Sequence, residues 1–155
     1  MRRALPLLLL CAAASPARGG EGELTLALAP VYGIVDWDLR RPSGAGVVLD
    51  AGWGLNDTIT LRLTGFWTAH PAGAAPANRP PAGLISVGGA FAGVTYAFDV
   101  LRVIPSVDAG LGVLLAGGAG QERRVDLGFQ IGLGADYLHS RRFSCGFGVR
   151  YHSFL

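Results

Sequence analysis

Hydrophobic and polar residues alternate with a period of two through most of this 155-residue chain. From Val125 to Tyr137, the residues Val125, Leu127, Phe129, Ile131, Leu133, Ala135 and Tyr137 interleave with Asp126, Gly128, Gln130, Gly132, Gly134 and Asp136. A helix, with its repeat near 3.6 residues, would mix the two sets; a strand sends one set to each face. Thr58 to Trp67 behaves likewise, with Ile59, Leu61, Leu63 and Trp67 opposing Thr58, Thr60, Arg62 and Thr64. In Phe143 to Tyr151 the apolar set is Phe143, Cys145, Phe147, Val149 and Tyr151, against Ser144, Gly146, Gly148 and Arg150. Weaker alternation runs over Leu24–Ile34, Ala45–Leu55, Ile85–Phe98 and Arg102–Ala116. The pattern therefore predicts an all-β chain with seven visible strands. Each is about ten residues or longer, whereas strands of soluble proteins usually run to about five or six.

The predicted connections alternate in length. Asn56-Asp57, Asp99 to Leu101 and His139 to Arg141 are brief turns, whereas Val35 to Gly44, His70 to Gly83 and Gly117 to Arg124 are long and rich in breakers. Long strands with one apolar face, joined by short turns on one side and long loops on the other, fit a sheet that crosses a membrane as a closed barrel. Hydrocarbon offers no hydrogen bonds to a backbone, so a sheet there must close on itself. On this reading the apolar faces meet lipid and the polar, glycine-rich faces meet a narrow lumen. The inward glycines Gly128, Gly132, Gly134, Gly146 and Gly148 are read as steric relief there. Centring the first hairpin on Asn56 pairs Asp50 with Arg62 inside the barrel. Centring the last on Ser140 puts Gln130 beside Arg150 and Phe129 beside Tyr151. Asp108, Asp126 and Asp136 complete the expected polar network of the lumen. Trp53, Phe98, Tyr137 and Phe143 fall near short turns and Trp37 and Trp67 near long loops, as two interfacial aromatic girdles would require.

The N-terminal residues have a different character. Met1-Arg2-Arg3, the apolar run Leu5 to Ala14 and small residues up to Ala17 read as a secretory signal peptide over 1–17, with Ala12-Ala13-Ala14 as a rival cleavage site. Residues 18–155 form the barrel domain. Cys11 follows leucine rather than a small residue, which argues against a lipid-modified cysteine. Removal of the leader leaves Cys145 alone, so no intramolecular disulfide follows.

Composition then narrows the function classes. All 13 basic residues are arginine, and removing Arg2 and Arg3 leaves eleven against the 11 carboxylates. A neutral mature chain does not suit nucleic acid or a polybasic membrane contact. Charged residues are only 15% and glycines number 24 without a three-residue period, so neither disorder nor collagen fits.

With these features the chain resembles the small eight-stranded outer-membrane β-barrels of the OmpA/OmpX type. The resemblance covers nearly all of residues 18–155 and lies in pattern more than in motifs. Ser144-Cys-Gly-Phe-Gly-Val-Arg-Tyr151 is similar to that family's terminal assembly signal, which implies outer-membrane lipid and the barrel-assembly machinery as partners, location in the outer membrane, and no cofactor. Seven strands cannot close an antiparallel sheet, so the resemblance implies an eighth, expected after Leu155 beyond a further loop. Some barrels of this kind modify lipid A, one through a His-x-Ser arrangement on a strand. Here His152 and Ser153 are adjacent and expected on opposite faces, while His70 and His139 are read as solvated, so no enzyme is expected. Gly110/Gly112 and Gly132/Gly134 lie within strands and are not phosphate loops. The expected role is structural or surface-interacting, with a lumen filled by polar side chains and glycine, and the loops name no partner. The competing readings are a secreted soluble barrel carrying a small apolar ligand, a narrow pore, or a lipid A-modifying enzyme.

Overall fold

The computed structural model describes residues 7–15, 21–36, 41–72, 83–98, 103–118, 121–140 and 143–155. They form an all-β, antiparallel up-and-down fold of eight strands in chain order. These are β1 (Leu7–Ser15), β2 (Leu24–Val35), β3 (Ser43–Gly54), β4 (Ile59–Ala72), β5 (Gly83–Ala97), β6 (Val103–Gly118), β7 (Gln121–Ser140) and β8 (Phe143–Phe154). Strands β2 to β8 are the seven read from the alternation. In the structure the barrel is closed by an eighth strand, β1, paired to both β2 and β8.

Alternation sets the faces. Leu24, Leu26, Leu28, Leu49, Leu61, Leu63, Leu111, Leu127, Leu133 and Phe147 are exposed on the outer surface. Residues of the opposite parity point inward, among them Asp50, Thr64, Gln130 and Arg150, all buried. The usual distribution of a water-soluble sheet protein is thus inverted.

Two hairpins differ from the expected register by two residues. Asp50 pairs with Thr64 and Gly52 with Arg62, rather than Asp50 with Arg62. The cause is local: the Asn56 side chain accepts hydrogen bonds from the amides of Thr58 (2.9 Å) and Ile59 (2.7 Å), and Leu55 donates to the Ile59 carbonyl (2.9 Å). Such side-chain capture leaves five residues, 55–59, between the paired Gly54 and Thr60, so the hairpin centres on Asp57. At the last hairpin an irregularity between Leu138 and Ser140 sets Gln130 opposite His152, Gly132 opposite Arg150 and Phe129 opposite Ser153. A two-residue shift preserves faces and changes only heights.

The third long connection is a correction of a different kind. β6 runs on to Gly118 and β7 begins at Gln121, so most of the stretch read as a loop is strand. Gly118 has φ 115°, a left-handed backbone that only glycine adopts without strain, and it lets the chain turn there.

Candidate functional site

Among the described residues, four charges from four strands meet in the interior. Arg150 of β8 donates from Nη2 to Asp50 Oδ2 of β3 at 2.9 Å, and its Nε lies 3.8 Å from Asp108 Oδ1 of β6. Arg62 of β4 stands on the other side, with Nε 4.0 Å from Asp50 Oδ1 and Nη1 3.9 Å from Asp108 Oδ2. Acids and bases therefore alternate around a closed ring of two plus and two minus. Thr64 donates to Asp50 Oδ1 at 2.5 Å, and Gln130 donates from Nε2 to Asp108 Oδ1 at 2.6 Å. These donors matter because a buried carboxylate tolerates its loss of water only when its oxygens are otherwise satisfied.

Glycine makes room for the ring. A Cβ on Gly132 would overlap the Asp108 carboxylate and stand 3.0 Å from Arg150 Cγ. At Gly134 the nearest neighbour would be Ser106 Oγ at 3.0 Å, a hydroxyl that can rotate away. Gly132→Val is expected to lower stability by roughly 1–3 kcal/mol, the ordinary cost of overpacking, while Gly134→Ala costs under half as much. Urea midpoints in detergent micelles measure both; equal midpoints would count against a crowded ring.

On the side of the ring towards the short turns lies a polar cavity of about 70 Å³, lined by Asp50, Arg62, Ser106, Asp108, Asp136 and Arg150 among others. On the opposite side, towards the long connections, the interior turns apolar. Val31, Val35, Val48, Phe66, Ile85, Val87, Phe91, Leu114, Ala116 and Phe154 are buried there in one cluster. His152 sits among them, its ring 4.6 Å from that of Phe66 and 5.0 Å from that of Phe91, centroid to centroid. The expected lumen of polar groups and glycine is thus only half the interior. The other half is a largely apolar plug, in which each valine, leucine or phenylalanine gains roughly 1.5–3 kcal/mol when fully buried.

The structure brings Asp50, Arg62, Asp108, Gln130 and Arg150 of the expected network together. Asp136 lines the cavity without joining the ring, and Asp126 pairs instead with Arg124, whose guanidinium lies over the Phe154 ring. Arg150 faces Asp50 more closely than Arg62 does. Sequence reasoning missed Thr64 as a carboxylate donor, and it missed Phe66, Phe91 and His152 as plug residues. The signal was present: carrying the parity of Thr60, Arg62 and Thr64 two residues further puts Phe66 inward and small Gly65 outward. His70, read as solvated in a loop, lies in β4 fully buried, its Nε2 2.9 Å from Thr68 Oγ1. His139 is exposed at the end of β7. Ser153, expected on the opposite face from His152, is buried like it; its hydroxyl donates to the Phe154 carbonyl at 3.3 Å. Neither ring nitrogen of His152 has a hydrogen-bond partner among the described residues, so no serine–histidine pair is assembled there.

Among the aromatics, Trp53, Trp67, Phe98 and Tyr137 are exposed on the outer surface. Phe98 packs edge-on against Tyr96 with ring centroids 5.0 Å apart, beside a short turn. Trp67 is not at a loop, because β4 continues past it to Ala72. Trp37 and the side chain of Phe143 lie outside the described residues.

No protein-family model matches the chain, and no curated protein matches it.

Proposed function

We propose that the chain is a small outer-membrane β-barrel with a structural or surface-interaction role, closed to solute flow. The observation that carries this reading is the inverted barrel: leucines cover the outside while Asp50, Arg62, Asp108 and Arg150 neutralise one another inside. Such an exterior needs lipid, since water would meet a nearly continuous apolar belt. The short turns then face the periplasm and the long connections the cell exterior, as the OmpA/OmpX resemblance implies. A soluble carrier of apolar ligands would need the opposite arrangement. A conducting pore would need a wet path, and the plug around Phe66 and Phe91 supports a sealed one.

Fractionation tests the reading. The protein is expected in the envelope fraction, extractable only with detergent, and its gel mobility should change on heating as the barrel unfolds. Recovery from the soluble fraction without detergent would sink it. A sharper check is Leu133→Arg, which places a cation on the outer surface near mid-strand. The expected loss is about 2–4 kcal/mol in lipid vesicles, the cost of a cation near the bilayer midplane. A Leu133→Arg variant as stable as the parent would place that face in water.

A further inference from the structure

His152 is completely buried, and both of its ring nitrogens lack a hydrogen-bond partner among the described residues. Its ring lies against two phenyl rings, 4.6 Å from that of Phe66 and 5.0 Å from that of Phe91. The β7–β8 register sets Gln130 directly opposite. Gln130 donates from Nε2 to Asp108, while its buried Oε1 accepts nothing among the described residues. An unmet imidazole and an unmet carbonyl thus share one rung of the sheet, where the plug meets the charged ring. The gap there, lined by Arg62, Thr64, Phe91, Asp108 and Gln130 among others, has no room for a water molecule. Buried polar groups are normally satisfied, so unmet groups side by side call for a physical reason.

We propose that His152 is a proton-operated latch on the plug, which opens the barrel to small ions in acid. The latch rests on the reading of the barrel as sealed. With a neutral ring, His152 fills the space between Phe66 and Phe91 and completes the apolar layer. With a second proton, both nitrogens become donors. A phenyl face attracts a cation but offers no lone pair, so the ring turns towards the Gln130 carbonyl and leaves the layer open. The surrounding charges keep the protonated state from staying dry. Arg150 on its own strand and Asp50 on β3 face His152. Both belong to a ring already balanced at two plus and two minus, with Asp108 of β6 reached through Gln130. A further cation is in surplus there, and a buried charge without a partner must recover water. Leu7 of β1, Phe66 of β4, Phe91 of β5 and Gln130 of β7 bring no charge. Towards the long connections, Arg124 and Asp126 pair with each other, and His70 of β4 is held at Thr68.

Planar-bilayer recordings of the full chain test this at about pH 7.5 and about pH 4.5, either side of the range in which histidine changes charge. Gel mobility without heating checks that the barrel is folded at both. The parent is expected to be silent at the higher pH and to conduct at the lower. Its conductance should rise by no more than about tenfold per pH unit, the limit for a single proton. His152→Leu should stay silent at both values, and His70→Leu should conduct in acid as the parent does. Should His152→Leu fail to fold, NMR of the histidine ring carbons in detergent supplies a second measure. The midpoint of conductance should then match that of a ring signal which His70→Leu and His139→Leu both leave in place. Acid conduction by folded His152→Leu, loss of it in His70→Leu, or midpoints that disagree would overturn the latch. So would a parent that unfolds in acid, or one silent at both values, which leaves the sealed reading intact. Conduction at about pH 7.5 would sink the sealed reading itself, and the latch with it.

Discussion

Arg150→Leu is expected to be among the most destabilising single substitutions in this barrel. It removes the 2.9 Å bond to Asp50 and the 3.8 Å contact to Asp108, leaving two buried carboxylates to share one cation of the ring, Arg62, at 3.9 and 4.0 Å. Stripping one partner from a buried ion pair costs about 3–5 kcal/mol, because the remaining charge is left uncompensated. Unfolding in urea with the protein in micelles measures this. A second substitution separates charge balance from packing: Asp50→Asn in the Arg150→Leu background removes the surplus negative charge. The double variant is therefore expected to lose less than the sum of the two single losses, with a coupling of about 0.5–3 kcal/mol. Strict additivity would mean that the ring does not act as a unit. The Arg124–Asp126 pair is the internal control. Both side chains are substantially exposed, and Arg124→Ala should change stability by about 0–1 kcal/mol.

The second large effect concerns the plug. Phe91 is 2% exposed and lies within 6.2 Å of Phe66 and 5.0 Å of His152, ring centre to ring centre. Phe91→Ala leaves a cavity among groups that cannot collapse far, because they are fixed to closed strands. Its expected cost is about 3–5 kcal/mol. Phe91→Leu keeps most of the volume and should cost less than about 1.5 kcal/mol. In planar bilayers the parent protein is expected to pass no steady current. Emptying the layer with Phe66→Ala and Phe91→Ala together should admit water towards the charged ring and produce a measurable leak of small ions. Steady conduction by the parent would sink the sealed-interior reading, and a tight double variant would show that the charged ring alone suffices to seal.

What could be read from the sequence follows from which forces act locally. Period-two alternation is a local signal, so Val125–Tyr137 and Thr58–Trp67 yielded strands and faces directly. Heights were not legible, because they depend on turn chemistry. Asn56 was recognised as a turn residue, but its side chain engages the amides of both Thr58 and Ile59, which lengthens the loop and moves each partner by two. The same limit applied at Leu138–Ser140. The ring followed partly: its four charges were all identified as inward, yet their closest pairing joins Asp50 to a residue one hundred positions away. Such a contact is set by closure of the whole sheet, and no window of sequence contains it. The plug was missed for another reason. An apolar residue on the inner face of an inverted barrel breaks the expected polarity rule, and Phe66, Phe91 and Leu114 obey parity instead of polarity.

The two-residue hairpin shifts bear on how the strands find their alignment. On the lipid side, leucine, valine and isoleucine are close to interchangeable, so a strand displaced by two residues presents an equally apolar surface. The outside therefore holds almost no memory of correct alignment. Inside, the same displacement moves a side chain by roughly 7 Å along the strand, enough to take Asp50 out of reach of Arg150 and to push Phe66 into the charged layer. The ring and the plug together act as a vernier, with marks from β3, β4, β5, β6 and β8 that coincide only at one setting. Exterior positions are then free to drift among apolar residues, while the tally that fixes the barrel's register is kept by a handful of side chains facing its axis.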